Sequence, residues 1–119
     1  MLAHGARDPR WREPFERLAA RIRQMRPELS VSLAFLELMA PDLLRAGETL
    51  IAAGCGALQI VPVFFGQGGH VRDDIPELFK TLQQRYPDVG VRLSRAAGEN
   101  DGVIDALALF SLSELDGPQ

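Results

Sequence analysis

Cysteine is nearly absent from this 119-residue chain: Cys55 alone cannot form an internal disulfide or a multi-thiolate zinc site, so burial must hold the fold. Lysine is as scarce, Lys80 being the one exception among thirteen basic residues. No apolar run approaches the roughly 18 residues a membrane span requires, and the longest, around 58–65, has the length of a strand. The opening Met1-Leu2-Ala3-His4 lacks the pattern of a secretory leader, so a cytoplasmic protein with no membrane partner is expected. Aromatic residues make up only 7% and the pI is near 5.3, which argues against a nucleic-acid partner. Repeats, low-complexity tracts and linkers are missing too. What remains, 46% hydrophobic and 24% charged residues, is ordinary globular usage. At a prior of about 150 residues per domain, one domain spanning residues 1–119 is expected.

The net charge of -3 conceals an asymmetry. Residues 1–26 hold seven arginines against three acids, while the remainder is strongly acidic. Most of those arginines fall within one amphipathic segment, where a solvated face competes with an anion-binding surface as the explanation.

Apolar runs alternate with amphipathic segments along the whole chain. Leu2-Ala3 reads as the tail of a strand ending at His4-Gly5. A helix follows from about 12 to 25, with Phe15, Leu18, Ala19, Ile22 and Met25 at helical spacing and Pro14 in the first turn. Residues 30–38 form a strand candidate closed by Glu37. A second helix spans about 41–53 and stops at Gly54. Residues 57–65 read as a central parallel strand, apolar on both faces, leading into Gly66-Gln67-Gly68-Gly69-His70. Asp74 is placed as the cap of a third helix with Pro76 in its first turn, residues 89–93 form a fourth strand, and Asp101 is placed as the cap of a last helix reaching about 115. The order βαβαβαβα predicts a three-layer α/β domain: a four-stranded, mainly parallel sheet in the order 2-1-3-4 with helices on both faces.

Ligands of open parallel sheets bind beyond the carboxyl ends of the strands, at the point where the winding reverses. His4, Glu37 and His70 each follow one of the first three strands. These are the only two histidines in the chain. Two imidazoles and a carboxylate suit Co, Ni, Fe or Zn with positions left open for substrate. Taken singly, a histidine beside glycine in a turn is more often a hydrogen-bonding loop residue, and Glu37 reads equally as a solvated strand-end charge. The glycine loop lacks the lysine and hydroxyl of a phosphate loop, and Val71 breaks the dinucleotide fingerprint, so nucleotide binding is disfavoured. Cys55 reads as inert. Asp73 and Asp74 would serve either to orient a histidine or to begin a helix.

Four stretches in order resemble the small class II tetrapyrrole chelatases, the CbiX-type sirohydrochlorin cobaltochelatases and their ferrochelatase relatives. They are His4-Gly5-Ala6-Arg7-Asp8-Pro9, Phe35-Leu36-Glu37, Val61-Pro62-Val63-Phe64-Phe65-Gly66 and Gly69-His70-Val71-Arg72-Asp73-Asp74-Ile75-Pro76. The resemblance implies ATP-independent insertion of Co(II), or Fe(II) or Ni(II) in sister enzymes, into sirohydrochlorin or a close relative, with the metal as substrate and no prosthetic group. It implies that His4 and His70 hold the metal and accept pyrrole protons, with Glu37 a further ligand or acceptor. Imidazole exchanges protons near neutrality and is a borderline-soft ligand, which suits both tasks. Arg7, Arg10, Arg72 and Arg95, with Gly68 and Gly69, are placed against the carboxylate-bearing macrocycle. The length matches half of the two-lobed chelatases, implying a homodimer that encloses the macrocycle, with Leu36, Leu38, Met39, Phe64 and Phe65 available for the contact. Ala6 stands where the family commonly has serine, and the strand before His4 is short. The competing reading is a homologue that carries or senses metal or tetrapyrrole without inserting one into the other.

Overall fold

The computed structural model describes residues 1–66 and 71–117, the side chains at 71 and 72 excepted. Helix α1 (Glu13–Met25) is preceded by a 3-10 turn over Pro9–Arg12, which Asp8 caps by accepting the Arg10 N–H at 2.9 Å. Pro14 occupies the start of α1, where its missing N–H has no intrahelical acceptor to satisfy. Helix α2 (Leu43–Ala52) begins on Asp42, whose carboxylate accepts the Arg45 N–H at 2.8 Å. Two expected caps are corrected. Helix α3 (Val71–Arg85) begins before Asp74, which therefore lies inside it, and Pro76 is an interior residue. Asp73 and Asp74 still favour this end of the helix, because carboxylates complement its positive dipole end. Helix α4 (Asp101–Asp116) is capped by Asn100 instead of Asp101: Asn100 has the extended backbone a cap requires, and its side chain accepts the Val103 N–H at 3.2 Å.

The strands are shorter than their apolar runs. Strand β1 (Leu2–Ala3) pairs in parallel with β2 (Ala34–Phe35), and β3 (Ala57–Ile60) pairs in parallel with β4 (Gly90–Leu93). The expected continuous four-stranded sheet is thus two two-stranded sheets, joined by an isolated parallel bridge between Leu2 and Pro62. Leu2 N–H donates to the Val61 carbonyl at 2.9 Å and Val63 N–H to the Leu2 carbonyl at 2.8 Å. Two backbone facts limit the pairing. Pro62 has no N–H to extend the β4 ladder beyond Ile60↔Leu93, and β1 turns away at Gly5, where φ is +103°.

Side-chain alternation along the strands separates two cores. Leu2, Ala34, Leu58, Ile60 and Val91 meet Leu43 and Ala46 of α2 and Ile75 and Leu82 of α3. Ala3, Leu33 and Phe35 meet Ala19 of α1 on the other side. Helices therefore lie on both faces, as the alternating pattern predicts. This layering directs His4 and Glu37 to one end of the β1–β2 pair. Among the described residues, no helix is long and apolar enough to cross a membrane.

Candidate functional site at the strand ends

The first candidate pair is joined through the backbone. Leu36 N–H donates to the Ala3 carbonyl at 2.9 Å and Glu37 N–H to the His4 carbonyl at 3.0 Å, so the parallel register of β1 and β2 carries directly into His4 and Glu37. Gly5 makes this approach possible. A Cβ there would lie 1.7 Å from the Glu37 carbonyl oxygen, and the φ of +103° is one that other L-residues rarely adopt. After Glu37 the chain reverses through Leu38, in the left-handed region at φ +65°, and the Met39 N–H returns to the Glu37 carbonyl at 2.8 Å. The result is a half-buried imidazole next to a solvent-exposed carboxylate-bearing segment.

Aromatic contacts fix both sides of the pair. The His4 ring lies against Phe64, with centroids 4.3 Å apart and planes inclined by 34°. Phe64 is thereby a positioning residue for the imidazole, whereas the sequence reading offered it only as a dimer contact. Its position beyond β3, beside β1 across the Leu2–Pro62 bridge, was the available signal. Arg12 was also missed. Its guanidinium donates to the Ala40 carbonyl at 3.0 Å, pairs with Glu16 and lies 5.1 Å from the centre of the Phe35 ring, tying the segment after Glu37 to α1.

The other expected residues divide into three groups. Arg7 and Arg95 are exposed. Arg10 is exposed but engaged: its Nη2 lies 2.7 Å from Asp8 Oδ2, and hydrogen bonding to Arg10 holds the Asp8 carboxyl below its ordinary range. His70, Gly68 and Gly69 lie outside the described residues, as does the Arg72 side chain. Among the described residues, no three metal-competent side chains form a cluster. The described part of the site supplies one imidazole and one carboxylate from adjacent edges, a pair able to donate electron density to a cation and to receive protons.

A separate cavity lies elsewhere. A mainly apolar slot of about 470 Å³ separates residues 29–34 from β3, with Met1 and Leu2 at one end, and neither His4 nor Glu37 lines it. On the far side of β3, the chain beyond β4 closes tightly over the segment leading from Pro62. Ala97 and Gly98 donate their N–H groups to the Pro62 and Phe64 carbonyls at 2.8 and 2.9 Å. A Cβ on Gly98 would stand 2.2 Å from the Phe65 backbone, so this approach also depends on glycine.

Comparison with known proteins places this arrangement in a family. The CbiX family model matches residues 1–109. A sirohydrochlorin cobaltochelatase of Saccharolobus islandicus is 32% identical over 90% of this chain and 87% of that protein. A sirohydrochlorin ferrochelatase of Priestia megaterium is 29% identical over 89% of this chain but only 40% of its own length, and one cobaltochelatase, of Methanococcoides burtonii, is covered over 60%. The chain thus spans about half the length of several curated relatives it matches. The crystal structure of a protein described as a putative cobalamin biosynthesis CbiX protein, from Marinobacter aquaeolei, superposes with a TM-score of 0.81 at 30% identity, covering 97% of this chain and 93% of that one. SirB from Bacillus subtilis, solved with Fe3+, shares the fold at a TM-score of 0.80 and 21% identity, covering 98% of this chain and 46% of SirB. With the family model matched from the residues before His4 to the body of α4, the chain belongs to the CbiX family.

Proposed function

We propose that this protein inserts a divalent metal, Co(II) first among Co(II), Fe(II) and Ni(II), into sirohydrochlorin or a closely related tetrapyrrole, without nucleotide. The observation that carries the reading is the coupling of His4 and Glu37 at neighbouring strand ends through the Glu37 N–H to His4 carbonyl bond. The names of the relatives, sirohydrochlorin cobaltochelatase and ferrochelatase, supply the substrate class. In this reading the four strands act as one edge in the order 2-1-3-4, bringing His70 beside His4, and the three side chains hold the incoming cation. Insertion exchanges one M(II) for two pyrrole N–H protons, so the site must accept both. Imidazole and carboxylate are suitable acceptors, and the exposed rim at Glu37 gives the protons a route to water. Arg7, Arg72 and Arg95 pair with the macrocycle's carboxylates, with Gly68 and Gly69 allowing its close approach; Arg10 joins them only by leaving Asp8. Two copies enclose the macrocycle, and the metal is substrate, with no prosthetic group. The proposed compartment is the cytoplasm.

Anaerobic spectrophotometry of sirohydrochlorin with each metal tests this reading on the chain, its His70→Ala and His4→Ala variants and a protein-free blank. The expected result is protein-dependent insertion that falls at least a hundredfold in either variant. A chain that shifts the macrocycle spectrum on binding, yet matches the blank with every metal, would be a carrier instead.

A further inference from the structure

Of the seven arginines in residues 1–26, six are exposed and Arg12 alone is half-buried. It ends the 3-10 turn over Pro9–Arg12, on the segment that follows His4, and reaches the loop 36–41 that carries Glu37. Three contacts hold its guanidinium in place. Nε donates to Glu16 Oε1 at 2.8 Å, Nη1 donates to the Ala40 carbonyl at 3.0 Å, and the guanidinium carbon lies 5.1 Å from the centre of the Phe35 ring. A planar, forked cation can make all three at once, which a lysine ammonium cannot. Phe35, the ring beneath it, is fully buried two residues before Glu37.

The loop so held has few other restraints. At its base the Phe35 N–H donates to the Pro41 carbonyl at 3.0 Å, and on its inner side the Glu37 N–H donates to the His4 carbonyl at 3.0 Å. Met39 packs against the core formed by Ala3, Leu33 and Phe35. Between these points the chain turns through Leu38 at φ +65°, and Glu37, Leu38 and Ala40 are exposed. Among the described residues, the bond from Arg12 is the one side-chain hydrogen bond that residues 36–41 receive. Arg12 therefore ties the segment leaving β1 to the loop leaving β2 at its outer end, as the His4–Glu37 backbone bond does at its inner end. Anchoring both ends narrows the positions that a carboxylate between them can take.

We propose that Arg12 is a positioning residue for the Glu37 carboxylate: by tethering Ala40 it fixes the loop that brings Glu37 to a cation held at His4. The inference deepens the chelatase reading and rests on it for Glu37 as a cation ligand. Sign separates a tether from a plain charge effect. A guanidinium near a cation site repels the cation, so an Arg12 acting through its field alone would, once removed, strengthen metal binding. A tether predicts the reverse.

Equilibrium dialysis with Co(II) alone, without tetrapyrrole, is the test, on the full chain, on Arg12→Met, on Glu37→Gln and on the double variant. Arg12→Met keeps an unbranched apolar stem over Phe35 and loses both hydrogen bonds. Its Co(II) affinity should fall by about tenfold to a hundredfold, the usual effect of removing a partner that orients a metal ligand. In the Glu37→Gln background the same substitution should change affinity by no more than about twofold, because no carboxylate is left to place. Should near-UV circular dichroism show Arg12→Met unfolded, Arg12→Lys, which cannot make both bonds, takes its place with the same expectation. No Co(II) bound by the parent, parent-like affinity in the Arg12 variant, a gain in affinity, or an equal loss in both backgrounds would overturn the proposal. So would a Glu37→Gln variant that binds Co(II) as the parent does. Sirohydrochlorin insertion by the same four proteins separates the two readings: coupling of Arg12 to Glu37 in Co(II) binding without insertion sustains the tether and removes the chelatase, whereas insertion by all four alike does the reverse.

Discussion

Gly5 does two jobs that no other residue can do together. Its φ of +103° turns the chain out of β1, and its missing Cβ leaves room for the Glu37 carbonyl. Gly5→Ala therefore has to separate the His4 and Glu37 segments or distort both. A loss of about 3 kcal/mol in urea-unfolding stability is expected, with metal-dependent activity falling further than a loss of stability alone explains. A substitution tolerated in both measurements would mean that the two segments need not touch. Asp8 offers a test by pH. Hydrogen bonds from the Arg10 side chain and N–H depress its carboxyl below the ordinary range, so its charge contributes stability above the unfolded-state value that is lost as pH falls through the lower folded value. Asp8→Asn keeps a capping oxygen but removes the charge. The difference in melting temperature between parent and variant should be small, since the pair is exposed, largest near neutrality, and absent in strong acid.

Helices were easier to read from the sequence than strands, for a physical reason. Their periodicity extends over several turns, so α1 and α2 fall within a residue or two of expectation, α3 starts three residues before its expected cap Asp74, and the error at α4 concerns which side chain caps it. Strand length depends instead on backbone pairing, which hydropathy does not encode. Residues 57–65 are apolar nearly throughout, yet Pro62 interrupts the ladder after Ile60, and 30–38 pairs regularly only at Ala34–Phe35. His4 and Glu37 were legible as strand-end residues and the structure does join them, but the support of His4 by Phe64 required knowing which strands adjoin. Asn100 shows how little separates a correct cap from its neighbour: both Asn100 and Asp101 carry a suitable oxygen, and only the extended backbone at 100 decides between them. Asn100→Ala should cost about 1 kcal/mol and raise amide exchange at residues 101–104, while Asp101→Ala should leave the cap bond intact. Equal exchange in the two variants would return the capping role to Asp101.

At the scale of the whole molecule, the arginine-rich start and the acidic end of the chain belong to surfaces that the monomer keeps apart. α1 and its leading turn hold most of the early arginines, whereas α4 is acidic, apolar and exposed. Within one copy these features are a liability, since projecting apolar surface favours association. The two copies of the proposed function would bury such surface, and pairing of that kind is tested by how the protein responds to dilution and to salt. If folding and the pairing of two copies are linked, unfolding consumes a dimer and releases two chains, so the melting temperature must rise with protein concentration. A hundredfold dilution should lower it by several degrees. Salt acts on the charged part of the contact alone. Raising it to about 0.5 M shortens the screening length to a few ångströms and should weaken the dimer by a small factor without dissociating it, because burial of apolar surface persists. Complete dissociation by salt would identify a contact made by charge without apolar burial, and indifference to both dilution and salt would leave the chain a monomer.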